Sequence, residues 1–228
     1  LTLNSAINGG NASFTTTNAD LTLSSDPAVA GNLSLITTGT GNVIIPVAGI
    51  SQPSGLTITA NDILDTDRDL TLAAGAANIT LRNAASARNW TTSFNDLIMS
   101  LTGTGAFTLT DANALNLTSA TTGGDASFTT TNADLTLASG PAVSGNLSLN
   151  TTGIGNVIIP LAGISTPGAL SINANDLLDT DRDINLTATS ATISLRNASS
   201  ARNWTTSFND LVLSLTGGGD FALTDSNA

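Results

Sequence analysis

From Asp20 to Ile45 the chain reads DLTLSSDPAVAGNLSLITTGTGNVII. Three times here an Asp or Asn is followed by an apolar–small–apolar triplet: Asp20-Leu21-Thr22-Leu23, Asn32-Leu33-Ser34-Leu35 and Asn42-Val43-Ile44-Ile45. A period of two within each triplet is that of a strand with one face buried. Gly, Ser, Thr and Pro fill the gaps and read as turns. The leading Asx suits a corner, because Asn and Asp tolerate left-handed backbone and bond to nearby main chain.

The pattern extends both ways. Asp69-Leu70-Thr71-Leu72, Asn78-Ile79-Thr80-Leu81 and Asp96-Leu97-Ile98-Met99 continue it, and Leu1-Thr2-Leu3, Leu56-Thr57-Ile58 and Phe107-Thr108-Leu109 lack only the leading Asx. No segment carries a helical stripe, so the chain reads as all-β. Triplets about every ten residues are too close for sandwich strands with real loops. They suit a β-solenoid, in which short strands and tight corners make each coil. The expected fold is a right-handed parallel β-helix.

A longer repeat contains the short one. ASFTTTNADLTL around Phe14 returns around Phe128, and SARNWTTSFNDL around Trp90 returns around Trp204. Both shifts are 114 residues, half of 228, and 83 of the 114 aligned positions are identical. The chain is therefore two copies, residues 1–114 and 115–228, with no change of composition at Ala114-Leu115. Modules on a hinge would show a polar or Pro-rich linker there. One continuous solenoid is expected. Taking Leu1, Leu21, Val43, Leu70 and Trp90 as equivalent gives five coils per copy, and a shorter coil gives six; the sequence leaves both open.

Composition removes most chemistry. The chain has no His or Cys, and its charges are 17 Asp and six Arg, for a net charge of −11. Zinc sites of the usual kinds, thiol nucleophiles, Ser-His-Asp triads and Schiff-base chemistry are excluded. So acidic a chain repels nucleic acid. The longest apolar stretch, Val43–Ile50, is interrupted by Pro46, so membrane insertion is not expected. No signal peptide opens the sequence.

The strings AGAANITLRNAA after Leu72, GAFTLTDANALNL from Gly105 and VSGNLSLNTTGIGNVIIP from Val143 resemble the repeats of filamentous haemagglutinin-type surface proteins, the exoproteins of two-partner secretion in Gram-negative bacteria. The resemblance covers nearly all of each copy and lies in phrasing rather than in a chemical signature. It implies a long right-handed β-helix, an export route through the outer membrane, and a role in adhesion, aggregation or biofilm matrix. It implies nothing catalytic.

Four candidate sites follow from the residues. The densest charge is in Asn61 to Asp69, repeated as Asn175 to Asp183. Alternating Asp65, Asp67 and Asp69, with Asp179, Asp181 and Asp183, can converge oxygens on Ca²⁺. It is no EF-hand, since Leu70 stands where the loop needs Gly, and a solvated acidic corner is the simpler reading. Acidic β-helix enzymes acting on polysaccharides also use Asp and Arg, so Asp65, Asp67 and Arg68 are the residues such an enzyme would use. Trp90 and Trp204 are candidate sugar platforms, though a coil-interior filler is preferred. Thr15–Thr17 and Thr129–Thr131 resemble ice-binding Thr rows but come once per copy. Asn32, Asn89, Asn146 and Asn203 match the N-glycosylation pattern.

The expected function is a structural or adhesive segment of a secreted bacterial surface rod or matrix fibre, without enzymatic activity. Its expected partners are further copies of the repeat, laterally associated rods whose repulsion divalent cations would relieve, and a host-cell or matrix glycan or protein. Two classes compete with it: calcium-dependent immunoglobulin-like adhesin modules, and a polysaccharide-active β-helix enzyme.

Overall fold

The computed structural model describes residues 1–51, 53–65, 69–166, 168–179 and 183–227. These residues form strands and no helix, and every ladder between the strands is parallel. The ladders stack into a β-solenoid of about 11 turns, consistent with the right-handed parallel β-helix expected. At about 4.8 Å per turn the body is roughly 50 Å long. Parallel pairing overturns the immunoglobulin-like alternative, which requires two antiparallel sheets.

A turn has three sides. Leu21–Leu23, Ala28–Val29 and Asn32–Thr38 make one, and each side lies over the corresponding strand of the turn before. Alternation inside each strand does what the triplets predict. Leu21 and Leu23 are buried around half-buried Thr22, and Leu33 and Leu35 around Ser34. Stacked turn on turn, these positions build one aliphatic core from Leu21 to Phe208. Each fully buried Leu or Ile contributes about 1.5–3 kcal/mol.

Corners demand close approach. A Cβ at Gly41 would sit 2.3 Å from the carbonyl oxygen of Ala19, one turn below, and one at Gly155 would sit 2.2 Å from that of Ala133. Asn18 and Asn132 adopt positive φ, 52° and 53°, each two residues before a triplet-leading Asp. None of the triplet-leading Asx residues does so, and Asn78 lies inside the strand Ala76–Leu81, so the left-handed corner expected at those positions is not found.

The two copies join without a break. Asp96–Leu101 of the first copy pairs with Leu115–Thr122 of the second, and Phe107–Asp111 pairs with Ala126–Thr130. A copy is not a whole number of turns, however. Ala12, Leu33, Leu56, Ala77, Leu97 and Leu117 follow one another up a single ladder. Five steps thus take 105 residues, and the counterpart of Ala12 is Ala126, nine residues further on and one side round.

The longer strands of the first copy show this shift. Asn32–Thr38, Gly55–Ala60 and Ala76–Leu81 belong to a ten-stranded sheet, whereas their counterparts Leu147–Thr151, Ala169–Ala174 and Ser190–Leu195 belong to the eight-stranded sheet. The coil series read from sequence therefore needs correction. Leu21 and Val43 are in register, but Val43 is followed by Ile63, while Leu70 starts another file with Trp90 and Leu109. The series failed because it assumed that the coil closes at residue 114.

Candidate functional site

Of the proposed calcium ligands, Asp67 and Asp181 lie outside the described residues. Asp65 and Asp179 are half-buried, Asp69 and Asp183 exposed. Asp69 Oδ1 accepts a hydrogen bond from Asn89 Nδ2 (3.0 Å), and Asp183 Oδ1 accepts one from Asn203 Nδ2 (3.1 Å). Among the described residues no three carboxylates gather as a metal site requires.

Asp62, read from sequence as part of that acidic corner, does something else. Its side chain turns inward and meets Arg88, which is 3 % exposed. Arg88 Nη1 donates to Asp62 Oδ1 (2.5 Å) and Nη2 to Oδ2 (3.3 Å), while Nε donates to the Ser86 carbonyl (3.2 Å). Asp176 and Arg202 repeat the arrangement at 2.5 and 3.1 Å. A guanidinium in a low-dielectric interior is tolerated because the carboxylate and the carbonyl together satisfy it. Sequence reasoning missed the pair because its members are 26 residues apart. The signal was available, since that separation is close to one turn plus a corner.

Other polar side chains are also consumed in holding turns together. Asp20 Oδ1 accepts from the N–H (2.8 Å) and Nδ2 (3.1 Å) of Asn42, whose Oδ1 accepts from Asn61 Nδ2 (3.0 Å). Asp134, Asn156 and Asn175 form the same ladder in the second copy. Arg82 reaches back two turns, donating from Nη2 to the carbonyls of Thr37 (2.8 Å) and Gly39 (3.0 Å). Arg196 does the same to Thr151 and Gly153. Asp111, fully buried, accepts from Thr92 Oγ1 (2.6 Å) and from the N–H of Phe94 (2.9 Å) and Asn113 (2.7 Å). Its counterpart Asp225 accepts from Thr206 Oγ1 (2.6 Å), and that bond, with the N–H groups of Asn227 and Phe208, holds its carboxyl below the ordinary 3.8.

The tryptophans are interior fillers. Trp90 is 2 % and Trp204 1 % exposed. Trp90, Phe107 and Phe128 stack on successive turns with centroids 5.0 and 5.8 Å apart, and Trp204 meets Phe221 edge-on at 5.1 Å. The Thr rows do not extend: Thr15 is followed up the sheet by Ile36, and Thr129 by Asn150. The glycosylation-pattern residues Asn89 and Asn203 make the bonds to Asp69 and Asp183 described above, and Asn146 Oδ1 accepts from the Ala169 N–H (2.8 Å).

What the protein offers to a partner is its outward strand positions. Thr108, Ser127, Ser148, Ser171 and Thr192 stand in register on five successive strands, crossing the join of the copies. Beside them runs Thr110, Thr129, Asn150, Asn173 and Ser194. These are two files of hydroxyl and amide groups about 4.8 Å apart along the axis. A shallow groove of about 500 Å³ follows the first file, edged by Asp125 and Asn146. A second, of about 270 Å³, lies over Thr57, Asn78 and Ile98, the counterparts of Ser171, Thr192 and Val212. The groove is thus a property of the repeat, carried one side round by the non-integral turn. No charged cluster or reactive dyad lies in either groove among the described residues.

No known protein family, curated protein or solved structure matches the chain.

Proposed function

We propose that the chain is a structural and adhesive segment of an extracellular bacterial rod or matrix fibre, without catalytic activity. The observation that carries this is the join. Two near-identical copies share ladders and core so completely that duplication lengthened one body instead of adding a module. A solenoid gains stability turn by turn from nearest neighbours, so it lengthens without redesign. Selection for length is the economical account of such a repeat.

The polar chemistry supports the same reading. Asp20, Asp62, Asp111 and their counterparts are spent on inter-turn and inter-strand bonds, leaving hydroxyls and amides outward. Neutral, hydrogen-bonding files of this kind suit a glycan or matrix polymer more than a nucleic acid. The filamentous haemagglutinin-type resemblance, a secreted location and adhesion to host or matrix belong to this proposal.

Concatenation tests it. Four copies expressed in tandem are expected to give straight particles about 110 Å long by electron microscopy, since each 114-residue copy adds about 27 Å at roughly 4.8 Å per turn. Beads coated with them are expected to be retained on glycan or matrix surfaces. Kinked strings of beads would overturn the rod, and absence of retention would overturn the adhesive part. Depolymerisation of acidic polysaccharides that Asp67→Asn with Asp181→Asn abolishes would favour the enzyme instead.

A further inference from the structure

Side-chain bonds between turns are unevenly distributed along the solenoid. From Thr37 to Asn113 they follow one another without a gap. Arg82 Nη2 donates to the carbonyls of Thr37 and Gly39, 45 and 43 residues back, so its bonds reach past the whole turn that lies between. Asp62 and Arg88 tie the next turn on. Arg88 shares the strand Arg88–Ser93 with Thr92, whose Oγ1 donates to Asp111 one turn further up. Arg196 with Thr151 and Gly153, Asp176 with Arg202, and Asp225 with Thr206 repeat the series in the second copy.

Residues 114–150, between the two series, are joined differently. Asp96 accepts from Asn116 Nδ2 (2.8 Å), Asp125 from the Asn146 N–H (2.8 Å), and Thr152 Oγ1 from the Asn132 N–H (3.0 Å). These bonds are exposed, and like the half-buried bond of Asp134 to Asn156 each joins neighbouring turns only. Among the described residues no side chain of this stretch reaches past a turn.

At rest both stretches share the same ladders and the same core. The ties matter when turns are pulled apart. A buried ion pair adds little net stability over an apolar pair of the same shape. A hydrogen bond, however, is directional and is lost once its geometry is stretched. A solenoid held by nearest neighbours alone comes apart turn by turn. The turn carrying Arg82 cannot leave the turn beneath it while the guanidinium holds Thr37 and Gly39, so two turns must part together.

We infer that each copy is built to carry tension along the axis, with residues 114–150 as the stretch that yields first and the tied series from Thr37 to Asn113 as the block that yields last. Residues 114–150 then lengthen the chain by up to about 120 Å while the block stays folded. An extensible link of this kind absorbs a pull that would otherwise fall on the adhesive contacts. The inference rests on the rod reading and deepens it.

Force spectroscopy tests it. Optical tweezers pull between Ser34→Cys and Ser148→Cys through DNA handles; the chain has no other Cys, both positions face outward on counterpart strands, and the pull does not involve the chain's ends. Residues 114–147 are expected to come off first, in steps of one turn, about 20 residues or about 70 Å each. At higher force the tied turns follow, and residues 40–82 leave as one step of about 145 Å. Arg82→Ala folds, since the bonds it loses are partly solvent-exposed, and is expected to split that step into two of about 70 Å. Asp62→Leu with Arg88→Met keeps most of the urea stability but is expected to release the turn above Asp62 at the force of the untied turns. A parent chain whose turns all open singly at one force would overturn the inference and leave the straight rod of the concatenation experiment standing. An unsplit step in Arg82→Ala, or a joint variant that opens at the parent force, would equally overturn it.

Discussion

Replacing Asp62 by Leu strands the Arg88 guanidinium in the core, 3 % exposed, with the Ser86 carbonyl as its remaining partner among the described residues. Removing one member of a buried pair costs about 3–5 kcal/mol, because the surviving charge stays desolvated. The Ile63 N–H, which donates to Asp62 Oδ1 at 2.8 Å, also loses its acceptor. That adds about 1–3 kcal/mol. The Ser86 carbonyl offsets part of the first cost, so a total near 4 kcal/mol is expected. Asp62→Asn keeps an oxygen for both donors and should cost about 1–3 kcal/mol. Joint replacement, Asp62→Leu with Arg88→Met, removes both charges and should recover most of the loss.

Urea unfolding followed by the fluorescence of buried Trp90 and Trp204 measures each step, and the parent chain, Asp62→Leu, Arg88→Met and the joint variant form a double-mutant cycle. The same substitutions at Asp176 and Arg202 should give similar losses, additive with the first within about 0.5 kcal/mol because the pairs lie several turns apart. A cost below about 1 kcal/mol for Asp62→Leu, or a double variant as unstable as the single one, would refute the reasoning that the pair is a mutually satisfied buried unit.

Gly41→Ala and Gly155→Ala should each destabilise by about 1–3 kcal/mol, since the new methyl meets a carbonyl of the turn below; thermal melts check this. Arg82→Ala should cost about 1 kcal/mol by urea titration, because its bonds to Thr37 and Gly39 are partly solvent-exposed. Asp225 titrates below its ordinary value when folded, so its contribution is complete above about pH 3.8 and is lost as pH falls through the lower folded value. Asp225→Asn is therefore expected to remove that part of the acid sensitivity, leaving melting temperatures less dependent on pH below 3.8 than in the parent chain.

Much of this was legible in sequence because small apolar triplets leave little choice. Leu21 and Leu23, or Leu33 and Leu35, can be buried together only by extended backbone. Trp90 and Trp204 were readable as fillers since so aliphatic a chain has few residues large enough to span a coil. Side-of-turn assignment was not readable. Whether Val43 is followed by Ile63 or by Leu70 depends on corner lengths, which vary from turn to turn and carry no periodic apolar signal. The inward turn of Asp62 escaped for a related reason: local charge density suggests solvent, and only the return of Arg88 one coil later makes burial affordable. The hydroxyl files crossing the join likewise exist only once register is known.

Hydrogen exchange across the join tests the central claim, one unbroken solenoid, most directly. The amides of Ala112, Leu115, Asn116, Gly123 and Ala126 donate to carbonyls of Thr92, Asp134, Asn95, Leu101 and Asn146, on turns both below and above. They are expected to be protected as strongly as the amides of Ala76–Leu81 in the middle of the first copy. Exchange near the unfolded rate across residues 112–116, between two separately protected blocks, would contradict the account.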